Sequence, residues 1–397
     1  MITISERGKN MPSSPIRKLA TYADTAKRNG VKVYHLNIGQ PDIETPAAMM
    51  AAVSNANLKV LEYTDSAGIL NFRKKLAEYY QSKDIHVDYS DILITIGGSE
   101  AILFAFMACL DAGDEIIVPE PFYANYIGFA IAAGIKIIPI TSSIESGFAL
   151  PPIASFKEKI TEKTKGIFIC NPNNPTGYVY SELELLQIRD LIKEKDLYLF
   201  SDEAYTEFCY EGNMKSTLTL EGVEDRVIMI DTFSKKYSAC GARIGALVTK
   251  NKEVIEAVMK FSQARLSPPT LEQIAAEAVL SLPAHYFENT RAEYKKRRDV
   301  LINRLSKIDG VFCQSPQGAF YVMAKLPVAD TDDFCKWLLT DFRKSNATIM
   351  LAPASGFYTT LGLGKNEIRL AYVLNEKDIH AAMDCLEDAL FIYKNNL

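Results

Sequence analysis

Nothing in this sequence marks it for a membrane, a zinc ion or a nucleic acid. It has no long, charge-free apolar run, so no membrane-spanning helix is read from it. Its first residues, MITISERGKNMPSSP, lack the apolar core of a signal peptide. The seven cysteines (Cys109, Cys170, Cys209, Cys240, Cys313, Cys335 and Cys385) are odd in number and form no CxxC pair. Free thiols in a reducing compartment fit that usage. A zinc site does not, because the four histidines, His35, His86, His285 and His380, stand near no cysteine cluster. The net charge of −5 argues against a nucleic-acid surface. Two phosphate signatures are also missing: no GxGxxG follows a strand, and no GxxxxGKS/T occurs. The expectation is a soluble, cytoplasmic protein without a resident metal.

What is present is an ordinary globular balance, 48% hydrophobic and 23% charged, over 397 residues. That length exceeds one compact core and implies about two domains. In the middle of the chain short apolar runs alternate with helical patterns. DILITIGG reads as a strand ending in glycines, and SEAILFAFMACLDAG as a helix closed by Gly113. EIIVPEP, GIKIIPI, KGIFICNPNNPTG, YLFSDEAY and RVIMIDTFS follow, each apolar first and polar at the end. Helical stretches such as SELELLQIRDLIKEKD lie between several of them. This alternation predicts an α/β fold: a large domain with a mostly parallel sheet flanked by helices. HYFENTRAEYKKRRDVLINRLSKIDG reads as a long amphipathic helix, and AFYVMAKL then leads into a smaller α+β domain. The N-terminal segment around YHLNIGQPDIETP shows neither period and is free to pack with the C-terminal part. The expected division is a large domain over 46–285 and a small domain made of 1–45 and 286–397.

In a parallel α/β sheet, ligands bind outside the carboxyl ends of the strands, so the residues just after each apolar run are the candidates. ILITI is followed by Gly97, Gly98 and Ser99 and then a helix. Amides at such a start cradle an anion, though a plain turn reads the same way. GIFIC is followed by NPNNPTG, Asn171 to Gly177, which an Asn/Pro turn also explains. LYLFS is followed by Asp202, with Tyr205 three residues on, and a helix N-cap is the plain alternative. VIMI is followed by DTFSKKYSACGARIG, with adjacent lysines Lys235 and Lys236 that a solvated surface would account for.

Together these strand ends offer a phosphate cradle, an amide, a carboxylate with a phenol, and a lysine with a hydroxyl and an arginine. Pyridoxal 5′-phosphate needs that set. Its aldehyde takes a lysine amine, and its ring nitrogen a carboxylate. Its phenolic oxygen takes hydrogen-bond donors, and its phosphate takes amides, hydroxyls and an arginine.

The order LNIGQPD, YTDSAG, GGSEA, PEPFYANY, NPNNPTG, DEAY, SKKYSACGARIG, IRLAY resembles that of the fold-type I, class I/II aminotransferases, over nearly the whole chain. The resemblance implies a transaminase that moves an amino group between an L-amino acid and a 2-oxo acid such as 2-oxoglutarate. The family places a hydroxyl three residues before the cofactor lysine and an arginine eight after it. From Lys235 these are Thr232 and Arg243; from Lys236 the same steps land on Phe233 and Ile244. The resemblance therefore implies Lys235 as the Schiff-base lysine and general base, and leaves Lys236 as a neighbouring charge. It also implies Asp202 at the ring nitrogen, with Tyr205 and Asn174 donating to the phenolic oxygen. Gly97, Gly98, Ser99, Thr232 and Arg243 would hold the phosphate, and Tyr123 would stack on the ring. Arg369 of IRLAY would grip the substrate α-carboxylate, with Gly39 leaving room for it and offering an amide. Tyr63 of YTDSAG would reach the phosphate of a neighbouring subunit, which implies a homodimer with shared active sites.

Fold does not fix the reaction. A pyridoxal-phosphate lyase or synthase of the same superfamily, such as a carbon–sulfur lyase, is the alternative. A non-enzymatic, cofactor-sensing regulator would need a DNA-binding module before residue 45, and nothing there reads as helix-turn-helix. Aspartate or glutamate is the first expectation for the amino donor; aromatic amino acids, alanine and methionine are alternatives. A dicarboxylate needs a second cation. Arg265 of QARLSPPT stands near the segment that, in aspartate aminotransferases, carries such an arginine on the partner subunit. The spacing of the serine and prolines that follow does not match theirs, and a surface charge would read the same way.

Overall fold

The computed structural model describes residues 2–395 of the chain. Its centre is one seven-stranded sheet. Across that sheet the strands run Ile92–Thr95, Gly245–Val248, Val227–Thr232, Tyr198–Asp202, Thr164–Cys170, Glu115–Glu120 and Lys136–Thr141. Gly245–Val248 is antiparallel to both neighbours, and the other pairings are parallel.

The central strands lack polar alternation because both faces are covered. Phe168, Phe200 and Ile228 join one buried cluster, while the residues just before them, Ile167, Leu199 and Val227, join the other. Each such side chain contributes about 1.5–3 kcal/mol by leaving water. SELELLQIRDLIKEKD forms the helix Glu182–Lys195, whose buried stripe is Leu185, Ile188, Leu191 and Ile192. Its start is a reciprocal cap: Ser181 Oγ accepts from the Glu184 amide at 3.3 Å, and Glu184 Oε2 accepts from the Ser181 amide at 2.7 Å.

The remaining strands form two small sheets. Tyr321–Lys325 pairs antiparallel with Glu367–Ala371 and with Phe312–Cys313, and Ala352–Pro353 joins the other side of Glu367–Ala371. Lys32–His35 pairs in parallel with Ala347–Met350, near the opposite end of the chain. The sequence shows no period around this strand because it is only four residues long. Its partner, not its pattern, makes it a strand. HYFENTRAEYKKRRDVLINRL forms the helix His285–Leu305. Among the described residues, no helix is long and apolar enough to cross a membrane.

This topology fixes where chemistry can occur. Thr95, Cys170, Asp202 and Thr232 end strands that run the same way, so they share one edge of the sheet. The opposed strand starts there, at Gly245, just after Arg243.

Candidate active site

The two adjacent lysines separate at this edge. Val227–Thr232 passes directly into the short helix Phe233–Lys236, where Thr232 Oγ1 accepts from the Ser234 amide at 3.2 Å. Lys235 is half-buried, and its Nζ donates to the Gly39 carbonyl at 2.9 Å, with Cys240 Sγ 3.7 Å away. Lys236 has different partners. It is buried, its Nζ lies 2.5 Å from Asp231 Oδ2, and the Tyr80 hydroxyl donates to that same oxygen at 2.9 Å. Lys236 is thus not the solvated charge that a lysine pair suggests. It is half of a buried ion pair.

Beside Lys235 lies a cradle. Gly97 has φ +72°, and a Cβ there would fall 2.4 Å from Arg243 Nη2. Only glycine lets the guanidinium lie this close to the backbone. A Cβ on Gly98 would meet Thr232 Cβ at 3.8 Å. Arg243 Nη1 donates to the Cys240 carbonyl at 3.1 Å and reaches Ser234 Oγ at 3.4 Å. The helix Gly97–Cys109 has no side-chain cap, so its first amides and the positive end of its dipole lie beside these groups. Ser99 is exposed at the same helix start. The sequence did not single out Ser234. Its only signal was its place between Thr232 and Lys235.

Asp202 is buried, with Oδ2 accepting from the Tyr126 hydroxyl at 2.6 Å and Oδ1 from the Ala204 amide at 3.2 Å. Burial pushes its carboxyl pKa up, while those two hydrogen bonds and the charge of Lys235 oppose the rise. Tyr126 was missed in the sequence, although it lies three residues after Tyr123, close to one helical turn. Tyr123 is half-buried and edge-on to Tyr126 at 5.4 Å, and its hydroxyl accepts from Asn125 Nδ2 at 2.7 Å. Burial pushes the Tyr123 phenol up to about 12.

Of the asparagines in NPNNPTG, two build the loop. Asn171 Oδ1 accepts from the Tyr180 amide at 3.1 Å, and Asn173 Oδ1 from the Thr176 amide at 3.2 Å. Asn174 instead links site residues: its Nδ2 is 3.4 Å from the Tyr205 hydroxyl, and its Oδ1 accepts from Arg369 Nη1 at 2.9 Å. Turn and site readings both hold for this segment. Arg369 Nη2 donates to the Asn37 carbonyl at 2.5 Å, and its Nε has no partner among the described residues. Its guanidinium carbon lies 4.4 Å from the centre of the Tyr321 ring and 4.9 Å from that of Phe357. Burial pulls its pKa below the ordinary arginine value. The room at Gly39 is filled by Tyr321, because a Cβ on Gly39 would lie 1.9 Å from Tyr321 Oη. Gly39 also meets Lys235, through its carbonyl.

An amine, a buried carboxylate and a glycine cradle with an arginine thus stand on one edge, and this donor set fits pyridoxal 5′-phosphate. Residues 31–386 match the family model of aminotransferase class I and II. The chain belongs to this family. The aminotransferase is 33% identical to the aspartate aminotransferase of Thermotoga maritima, over 98% of this chain and 99% of that one. It is 31% identical to the aspartate aminotransferase of Sulfurisphaera tokodaii, over 92% and 93%. Its fold superposes on that of the Thermus thermophilus aspartate aminotransferase with maleate at a TM-score of 0.90 and 29% identity, covering 98% and 100% of the two chains. It is therefore a pyridoxal-phosphate-dependent transaminase, acting on amino acid and 2-oxo acid substrates. The α/β architecture with a mostly parallel sheet agrees with the sequence reading.

In this aminotransferase Tyr63 lies away from its own chain's interior. It is 76% exposed and makes no hydrogen bond or ring contact among the described residues. Leu58, Val60 and Leu61 are exposed beside it in sequence. The segment is nonetheless anchored. Arg265 Nη2 donates to the Ser66 carbonyl at 2.8 Å, and Thr270 Oγ1 to the Glu62 carbonyl at 3.1 Å. Arg265 Nη1 pairs with Glu100 Oε2 at 2.6 Å, and that oxygen also accepts from the Ile96 amide at 2.8 Å. Arg265 is therefore not a loose surface charge. It ties the Tyr63 segment to the start of the cradle helix.

Glu203, next to Asp202, carries a pH signature. It is fully buried, with Oε1 accepting from the Thr217 amide at 2.8 Å and Oε2 without a partner among the described residues. Burial pushes its pKa from the ordinary 4.5 to about 7. Between those values the folded chain holds a proton that the unfolded chain has released. The stability from this group is complete below pH 4.5 and is lost as pH rises through about 7. Urea unfolding at pH 5 and pH 8 tests this. Glu203→Gln should gain stability relative to wild type as pH rises between those values, and parallel profiles for the two proteins would show that Glu203 does not titrate there.

Proposed function

We propose that this aminotransferase prefers a dicarboxylic donor, aspartate or glutamate, with 2-oxoglutarate as an acceptor, and that Lys235, Asp202, Tyr205 and Arg369 carry its chemistry. The observation that carries the site reading is Arg369, a buried guanidinium lying against two rings, whose Nε has no partner among the described residues. Buried donors left unfilled call for an explanation, and a ligand acceptor supplies one here. An α-carboxylate is the planar two-oxygen acceptor that suits a guanidinium. The names of the aspartate aminotransferases among its relatives support the dicarboxylic preference. We divide the chain into 46–285 and 1–45 with 286–397; the pairing of Lys32–His35 with Ala347–Met350 supports this. We assign it to the cytoplasm, where seven free cysteines persist.

Pyridoxal phosphate, when bound, supplies an aldehyde for an amine and a ring that takes up the electron pair left at Cα. The chain's residues bind, orient and move protons. Gly97, Gly98, Ser99, Thr232 and Arg243 would hold the phosphate, joined by the partner's Tyr63. Tyr123 would cover the ring. Asp202 would keep a negative charge, and hence a proton, at the ring nitrogen, while Tyr126 fixes the carboxylate. Asn174 and Tyr205 would donate to the phenolic oxygen. Arg369 holds the α-carboxylate and so turns the Cα–H bond toward Lys235. Lys235 Nζ would take up and carry that proton, and the Gly39 carbonyl, 2.9 Å away, would keep the amine in reach.

A panel of L-amino acids with 2-oxoglutarate as acceptor tests the substrate assignment. We expect kcat/KM for aspartate to exceed that for phenylalanine, alanine and methionine by about tenfold or more. A higher value for any of these three donors overturns it.

The dimer has its own test. The exposed apolar stretch at Leu58, Val60, Leu61 and Tyr63 supports a covered face. Tyr63→Ala and Lys235→Ala should each be strongly impaired alone. In a mixed dimer one site collects both lesions and the other neither, so random exchange restores about a quarter of wild-type activity. If a tag shows exchange and no activity returns, Tyr63 does not act across the interface.

A further inference from the structure

Tyr321 touches three of the groups assigned above, yet neither the sequence reading nor the family resemblance gave it a role. It opens the strand Tyr321–Lys325 opposite Ala371, which puts Arg369, two residues along the paired strand, on the same face. The register therefore stacks the Tyr321 ring on the Arg369 guanidinium, 4.4 Å from ring centre to carbon. The Tyr321 hydroxyl lies 3.0 Å from the Tyr205 hydroxyl. It also fills the space that the missing Gly39 side chain leaves, beside the carbonyl that accepts from Lys235. The side chain is buried, so both of its contacts are shielded from water.

We infer that Tyr321 is a positioning residue for transamination: its hydroxyl donates to Tyr205 and its ring holds the Arg369 guanidinium flat for the substrate carboxylate. This rests on the roles proposed for Tyr205 and Arg369. The direction of the hydroxyl bond follows from proton counting. Tyr205 has one hydroxyl proton, and its proposed task spends that proton on the cofactor's phenolic oxygen. The proton between the two tyrosines must then come from Tyr321. Accepting it makes Tyr205 a stronger donor. A stronger donor draws charge off the phenolic oxygen and loosens the proton on the Lys235 nitrogen bonded to the cofactor.

Tyr321→Phe keeps the ring and removes the hydroxyl, whereas Tyr321→Leu removes both. The first readout is a pH titration of the visible absorbance of the holoenzyme, and the second is the split between kcat and KM. In Tyr321→Phe we expect the absorbance midpoint to rise by about half a unit to one unit, with KM for the donor within about threefold of wild type. In Tyr321→Leu the midpoint should rise too, and KM should increase by about tenfold. Tyr205→Phe should shift the midpoint by itself, and adding Tyr321→Phe to it should change nothing further. A midpoint that stays or falls in Tyr321→Phe, while Tyr205→Phe raises it, overturns the hydroxyl role and leaves the Tyr205 reading standing. An unmoved midpoint in Tyr205→Phe overturns that reading, and the hydroxyl role with it. An unchanged KM in folded Tyr321→Leu overturns the role toward Arg369.

Discussion

Lys235→Ala should abolish transamination and the visible absorbance of the holoenzyme, whereas Lys236→Ala should keep the chemistry and lose stability. Lys235 is proposed both to bond the cofactor and to move the Cα proton. Loss of a positioned proton carrier alone costs up to about 10⁴-fold in rate, and loss of the covalent link adds to it. Lys236 sits one residue on but pairs with Asp231 at 2.5 Å inside the protein. Removing it leaves the Asp231 carboxylate buried with the Tyr80 hydroxyl and the Thr232 amide as its donors among the described residues. Breaking a buried ion pair in this way costs about 3–5 kcal/mol. Initial rates and thermal melts on both variants separate the two effects. The assignment fails if Lys236→Ala stays folded and loses the chromophore.

Asp202→Asn should bind the cofactor and turn over about 10²–10⁴-fold more slowly. Asparagine preserves the shape. Its Oδ1 can still accept from the Ala204 amide as Asp202 does at 3.2 Å, while its Nδ2 meets the Tyr126 oxygen as a donor, reversing the bond that Asp202 accepts at 2.6 Å. It carries no charge, so nothing keeps the ring nitrogen protonated, and the electron sink weakens. Burial works against the carboxylate charge in the folded chain, so the neutral replacement should stay folded, and a thermal melt checks this. Turnover measured against bound cofactor decides the matter, and a near wild-type rate would remove Asp202 from this role.

The sequence was informative wherever a residue and its partner lie close along the chain. The steps from Thr232 to Lys235 to Arg243 stay within one strand, one short helix and one loop, so the family resemblance could set the two lysines apart by their spacing to these neighbours. Gly97 and Asn174 follow strand ends, Asp202 and Thr232 are strand ends, and a parallel sheet gathers these at one edge. What spacing could not give were contacts made by distant chain segments. Lys236 looked solvated because its cover, Tyr79 and Tyr80, comes from the helix Leu70–Gln81. The close approach of Tyr321 to Gly39 was not legible because Tyr321 lies far along the chain. Arg265 looked like a surface charge because Glu100 and the Ser66 carbonyl come from other elements. The strand Lys32–His35 was too short to show a period without its partner.

The most direct test of the account mixes holoenzyme with an amino donor alone and withholds the 2-oxo acid. The account predicts one equivalent of 2-oxo acid per active site, conversion of the cofactor to its aminated form, no release of ammonia, and recovery of the original absorbance when 2-oxoglutarate is added. Continued release of ammonia with the cofactor spectrum unchanged would mark a lyase and contradict it.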